Sequence, residues 1–173
     1  MRNPISSAGA PEHVAPRQAL GQPGGGPSST TVSQVVDASA ERIFAVLRDP
    51  RRHPDLDATG FLRHAETLHP VAAVGDTFIM AMHNDERGDY RIESHVVAFT
   101  EDRVIGWAPG EPGRRPAGHR FTWKLTPTDD GRTEVTQTYD WSAVTHPAGV
   151  PRLPVVSADD LDASLTRLAA AVA

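Results

Sequence analysis

The sequence predicts an α+β fold: an antiparallel sheet of seven strands, two short helices between strands 1 and 2, and a long helix at the C-terminus. Three observations predict it. A capped apolar stripe, Ser39 to Leu47, follows a first short strand. Six alternating runs separated by turn residues then fill residues 61–141. The chain closes on a leucine stripe, Leu161, Leu165 and Leu168, at helical spacing.

Residues 1–29 are rich in Pro, Gly, Ala and Ser and show neither helical nor alternating periodicity. They cannot bury enough apolar surface to offset the roughly 1–2 kcal/mol per residue of backbone ordering. A disordered tail, residues 1–29, is therefore expected ahead of one folded domain, residues 30–173. Thr31 to Val36 alternates as the first strand. Ser39 stands where an N-cap hydroxyl can accept a free backbone N–H, with Glu41 in the first turn. Ile43, Phe44, Val46 and Leu47 form its buried stripe. Pro50 disfavours helical geometry at Asp49, which caps a second short helix that Pro54 is expected to interrupt.

The predicted strands that follow are Phe61–Glu66, Asp76–His83, Tyr90–Phe99, Arg103–Ala108, Gly118–Pro127 and Thr133–Trp141. The breaks between them, among them residues 84–88, 100–102 and 129–131, carry turn chemistry. After a Pro-containing loop over 146–154, Ser157 with Asp160 forms a capping-box variant that opens the last helix, ending near Val172.

At 173 residues, 39% hydrophobic and 23% charged, the chain has the composition of one soluble domain. The absence of cysteine removes disulfides, thiol nucleophiles and thiolate metal sites. The formal charge is −5, and arginines pair only as Arg51-Arg52 and Arg114-Arg115, so no basic stripe can track a phosphate backbone. Nucleic acid is not an expected partner. No run approaches the roughly 18 apolar residues of a membrane span, and no signal-peptide pattern opens the chain, so a cytoplasmic location is expected. The eight histidines make no metal-ligand spacing, and no dinucleotide, Walker or Gly-x-Ser-x-Gly motif occurs; neither metal nor cofactor is expected.

Five motifs, in this order, carry a resemblance: Asp37-Ala38-Ser39-Ala40-Glu41-Arg42-Ile43-Phe44, Asp49-Pro50-Arg51-Arg52-His53-Pro54, Asp57-Ala58-Thr59-Gly60, Val74-Gly75-Asp76-Thr77-Phe78 and Gly131-Arg132-Thr133-Glu134-Val135-Thr136. From Thr30 to the C-terminus the chain resembles the START/birch-pollen-allergen-like (SRPBCC) superfamily, and within it the polyketide cyclase/dehydrase-like branch. The resemblance implies a helix-grip fold, in which a curved sheet wraps the C-terminal helix and leaves an apolar cavity. It also implies a small hydrophobic or aromatic molecule as partner, with cyclase/dehydratase-type chemistry in the enzyme version. A non-catalytic protein-interaction module of the same fold is the alternative. The two differ in what they require: an apolar cavity with inward polar groups, or a packed interior with an exposed apolar patch.

Alternation picks out the residues that would face such a cavity. His119, Phe121, Trp123 and Leu125 share one face of their strand, and Val135, Gln137, Tyr139 and Trp141 share one face of the next. This aromatic wall serves either as core against the last helix or as ligand contact. His119 and Gln137 are polar groups on that apolar face and need partners there, a ligand or a neighbouring side chain. Histidine is also a general acid or base near neutral pH. Phe78, Met80 and Met82 form a second inward set, suited to core or to adaptable contact. Tyr90 and Trp107 lie on the strands between; Tyr90 offers a hydroxyl to a ligand or to water. Asp57 either orients a ligand hydroxyl or, with Thr59, fixes a local turn. His119, Tyr90 and Asp57 are thus the catalytic candidates. Phe78, Met80, Met82, Tyr90, Trp107, His119, Phe121, Trp123, Gln137 and Tyr139 are the ligand-binding candidates.

Overall fold

A computed structural model describes residues 28–144 and 153–173. Residues 1–27 of the expected tail and most of the loop before the last helix lie outside the described residues. The elements run β1 (Ser29–Val36), α1 (Ala40–Leu47), a 3-10 turn (Pro50–Arg52), α2 (His53–Leu56), β2 (Leu62–Ala65), β3 (Thr77–Asn84), β4 (Gly88–Thr100), β5 (Val104–Gly110), β6 (Arg120–Pro127), β7 (Thr133–Asp140) and α3 (Ala158–Ala171). The seven strands form one curved antiparallel sheet in the order β1-β7-β6-β5-β4-β3-β2.

The first turn of structure follows the capping logic. Ser39 Oγ accepts from the Arg42 N–H at 3.3 Å, and Ile43, Phe44, Val46 and Leu47 turn inward. Asp49 accepts from the Arg51 N–H at 3.1 Å and is ion-paired with the Arg51 guanidinium at 2.6 Å. Hydrogen bonding to Arg51 holds the Asp49 carboxyl below its ordinary pKa. Pro54 does not interrupt the second helix as the sequence suggested. It falls in the first turn of α2, where its missing N–H has no helical partner to lose.

β5 runs two residues past the expected end: Pro109 and Gly110 pair with Ser94 and Glu93 of β4. Proline is tolerated there because pairing with β6 stops at Trp107↔Phe121, so no ladder bond to β6 is asked of it.

The sheet has a polar outer face and an apolar inner one. On the outer face of β1 and β7 the hydroxyls of Thr31 and Thr138 meet at 2.9 Å, and those of Ser33 and Thr136 at 2.8 Å. On the inner face the core joins Val36, Phe44, Leu47, Phe78, Met80, Ile105, Trp123, Leu125, Val135, Leu165 and Leu168. α3 lies across β1, β7 and α2. Its start is the reciprocal box expected from sequence: Ser157 Oγ accepts from the Asp160 N–H at 3.2 Å, and Asp160 Oδ2 accepts from the Ser157 N–H at 2.9 Å. No helix among the described residues is long and apolar enough to cross a membrane.

Candidate functional site: a half-buried aromatic wall

Strand register assembles the wall row by row. Phe121 faces Trp107 on one side and Tyr139 on the other, while Trp123 lies between Ile105 and Gln137. Across the far half of the sheet, Met82 pairs with Tyr90, Met80 with Ile92 and Phe78 with Ser94. The predicted faces of β6 and β7 are those observed: Trp123, Leu125, Val135, Gln137 and Tyr139 are buried. Phe121, Trp107, Trp141, Met82 and Tyr90 are only partly covered.

The rings stack into a continuous surface. Tyr139 lies parallel to Phe121 at 4.6 Å between centroids, tilts against Trp141 at 5.0 Å and stacks on His119 at 5.9 Å. The His119 ring is 8% exposed, and its Nδ1 lies 2.8 Å from the Tyr139 hydroxyl. Burial raises the Tyr139 pKa to about 12. The Nδ1 contact orients the imidazole and leaves its Nε2 outside the hydrogen bond. Burial also lowers the His119 pKa, favouring the neutral ring.

His119 borders a concavity of about 330 Å³ with Val97, Ala108, Pro116, Asp140 and Ser142. A second concavity, about 740 Å³, lies at the β2–β4 edge and is bordered by Met82, Tyr90 and a mixed charged set including Arg63, Glu66, Arg87 and Arg91. Tyr90 carries the Arg87 guanidinium over its ring at 4.5 Å, and its oxygen accepts from Asn84 Nδ2 at 3.3 Å. Burial raises its pKa, so it remains a hydroxyl donor. Register therefore puts His119 and Tyr90 at different openings rather than around one point.

Asp57 is bound within its own turn. Its Oδ1 accepts from the Thr59 N–H at 3.0 Å and from the Thr59 hydroxyl at 2.6 Å, and its Oδ2 accepts from the Leu62 N–H at 2.9 Å. These bonds fix the chain's return from α2 to β2, the turn role weighed for it from sequence.

His53 was not among the sequence candidates, yet it sits inside the wall. It stacks on Trp107 at 4.9 Å and meets Phe78 edge-on at 5.1 Å, and its Nε2 donates to the Leu47 carbonyl at 2.8 Å. The signal was its i, i+3 spacing to Leu56, which puts both on the buried side of α2. Desolvation lowers its pKa. A histidine with a depressed folded pKa is neutral in both states above about pH 6.5, whereas below that value the unfolded chain takes up the proton first. Stability is therefore expected to fall on acidification through pH 6.5, by up to about 1.4 kcal/mol per pH unit from His53. Urea titrations between pH 7.5 and 5 check this, and His53→Gln should flatten the profile.

Among the described residues no three His, Asp or Glu side chains gather as a metal-binding group. Among the described residues, three buried side-chain atoms lack a hydrogen-bond partner: His95 Nε2, Trp123 Nε1 and Gln137 Oε1.

The fold is that of a known class. Residues 28–173 match the family described as polyketide cyclase / dehydrase and lipid transport, and the chain belongs to that family. It is 33% identical over 118 residues to the uncharacterized protein Rv0088 of Mycobacterium tuberculosis (strain ATCC 25618 / H37Rv), a match covering 68% of this chain and 50% of that one. The chain thus spans about half the length of the curated relatives it matches. The Zhui aromatase/cyclase of Streptomyces sp. R1128 shares the fold with a TM-score of 0.59 at 18% identity, covering 83% of this chain and 92% of that one. An AHSA1-like protein from Aeromonas hydrophila does so with a TM-score of 0.56 at 14% identity, covering 83% and 91%.

Proposed function

We propose that this chain binds an apolar or aromatic metabolite against the aromatic wall and acts on it as a polyketide cyclase/dehydratase, with His119 as the acid–base group. The single observation that carries this reading is the environment of His119. It is a buried neutral imidazole, oriented by the Tyr139 hydroxyl and bordering a concavity. The wall supplies burial and orientation, holding a flexible poly-ketone so that an enol carbon and a carbonyl carbon approach one another. In the tautomer whose Nδ1–H donates to the Tyr139 oxygen, His119 Nε2 takes the C–H proton beside one substrate carbonyl, and the enolate carbon bonds to the second carbonyl carbon, whose oxygen takes that proton back from the imidazolium. In the dehydration the same nitrogen removes a second proton from the newly bonded carbon and passes it to the departing hydroxyl, so that one water is lost and the imidazole ends neutral. Tyr90, at the other opening, offers its hydroxyl to a distal oxygen. Asp57, with both carboxylate oxygens bonded in its turn, takes no part.

The family match and the fold shared with the Zhui aromatase/cyclase support this reading. The protein-interaction alternative has weaker support, since among the described residues the large exposed apolar side chains are few: Val35 on β1, Leu68 and Val74 in the β2–β3 loop, Val97 on β4 and Val155 before α3. Thermal-shift titration with a flat aromatic ketone, 1,8-dihydroxyanthraquinone, tests the binding. Saturation at about a hundred times Kd should stabilise the fold by about 2.7 kcal/mol. His119→Ala is expected to weaken binding about tenfold, as loss of one buried hydrogen bond does. No shift with this ligand or with a panel of linear polyketide mimics would overturn the reading.

A further inference from the structure

Trp123 and Gln137 face one another across β6 and β7 on the inner face, and each holds a polar atom without a partner. Trp123 is 3% exposed and Gln137 5%, so bulk water does not serve these atoms. The pair is neither at the His119 opening nor at the Tyr90 opening. Three residues stand between Trp123 and His119, which precedes the start of β6, a span of about 13 Å along the extended chain.

We infer that the metabolite carries a hydroxyl group, and that Trp123 and Gln137 select it. This rests on the binding reading above and names the chemistry of the molecule bound. An indole N–H only donates and therefore demands an acceptor, whereas the orphaned Gln137 Oε1 only accepts and demands a donor. A hydroxyl meets both needs with one oxygen. A ketone or ether satisfies Trp123 alone, and an ammonium satisfies Gln137 alone. Side chains of this kind are rarely left unpaired in an interior, because each orphaned group forfeits its hydration without return. The partial exposure of Phe121 and Trp107, next along the same face, shows where the protein leaves this wall uncovered.

The test compares 2-naphthol, 2-methoxynaphthalene and naphthalene on the intact chain by isothermal titration calorimetry. 2-Naphthol is expected to bind at least about tenfold more tightly than either of the others, since both of those leave Gln137 unpaired. Trp123→Phe and Gln137→Met should each lose the preference for 2-naphthol over naphthalene, whatever their change in affinity for the bare ring. The ligand-free melting temperature of Gln137→Met should be unchanged or higher, because it removes an unpaired polar group at similar volume, whereas Trp123→Phe should melt somewhat lower, because the smaller ring leaves a void in the core. That melting curve also separates a folded variant from a failed one. Equal binding of the three ligands, or a preference that survives both substitutions, overturns the inference while leaving the binding reading intact; a buried water would then be the partner of these atoms. If 2-methoxynaphthalene matches 2-naphthol, an acceptor alone is selected and the hydroxyl assignment is wrong. If none of the three binds and the anthraquinone titration also fails, the binding reading falls and the inference with it.

Discussion

Gly118→Ala should cost the fold about 3 kcal/mol or more and dislodge His119. Gly118 holds φ +103, outside the range side chains accept, and a Cβ there would lie 2.3 Å from the Ala143 carbonyl oxygen and 2.6 Å from the Val144 nitrogen. Both contacts are backbone, so neither can rotate away. The segment after β7 would have to lift off the start of β6, taking with it the residue adjacent to His119. Gly60→Ala is the built-in control. It also sits at positive φ, at +74, but nothing lies within 4 Å of its added Cβ, so only the conformational cost of about 1–2 kcal/mol remains. Guanidinium denaturation of the two variants measures the difference. A Gly118 variant no less stable than the Gly60 variant would mean that the β7 exit segment does not pack as described.

Leu165→Ala carries the second large effect, an expected loss of about 2–5 kcal/mol. α3 is fourteen residues long, and Leu161, Leu165 and Leu168 are its buried side chains. A helix of this length is marginal on its own in water, so its order depends on the stripe. Leu165 is fully buried in the middle of that stripe, in one cluster with Trp123, Leu125 and Val135. Removing it leaves a void that the sheet is too well tied to collapse into. Chemical denaturation reads the loss directly, and hydrogen exchange should show it concentrated in α3 amides.

Much of this arrangement was legible in the sequence because it rests on local rules. The Ser39 and Ser157 caps, the buried stripe of α1 and the alternation of β6 and β7 each follow from spacing and side-chain chemistry within a few residues. What was not legible depends on long-range neighbours. Pro54 reads as a breaker until the turn at Pro50 is known to place it in the first turn of a new helix. Pro109 reads as a loop residue until β6 is seen to stop short of it. His53 looks like one of eight histidines until α2 packs it between Phe78 and Trp107. The candidate site followed the same division. The inward row was readable from alternation, whereas the bonds that commit Asp57 to its turn, and the absence of bonds at Trp123 and Gln137, required the assembled sheet.

The pairing of the first strand with the last sets how this chain must come together in time. Thr31 and Thr138 meet across 107 residues of sequence, and the sheet reaches β1 only through β7. A chain emerging in order therefore makes its first strand long before that strand has anything to bond to. The meander from β2 to β7, built of adjacent hairpins, closes short loops and can form early; the β1–β7 ladder closes the longest loop in the sheet and forms late. α3 contacts β1 more extensively than β7, so it docks fully only after that closure. The aromatic wall is thus assembled before it is covered, and the slowest event in folding is expected to be the one that brings α3 down over the open curved sheet.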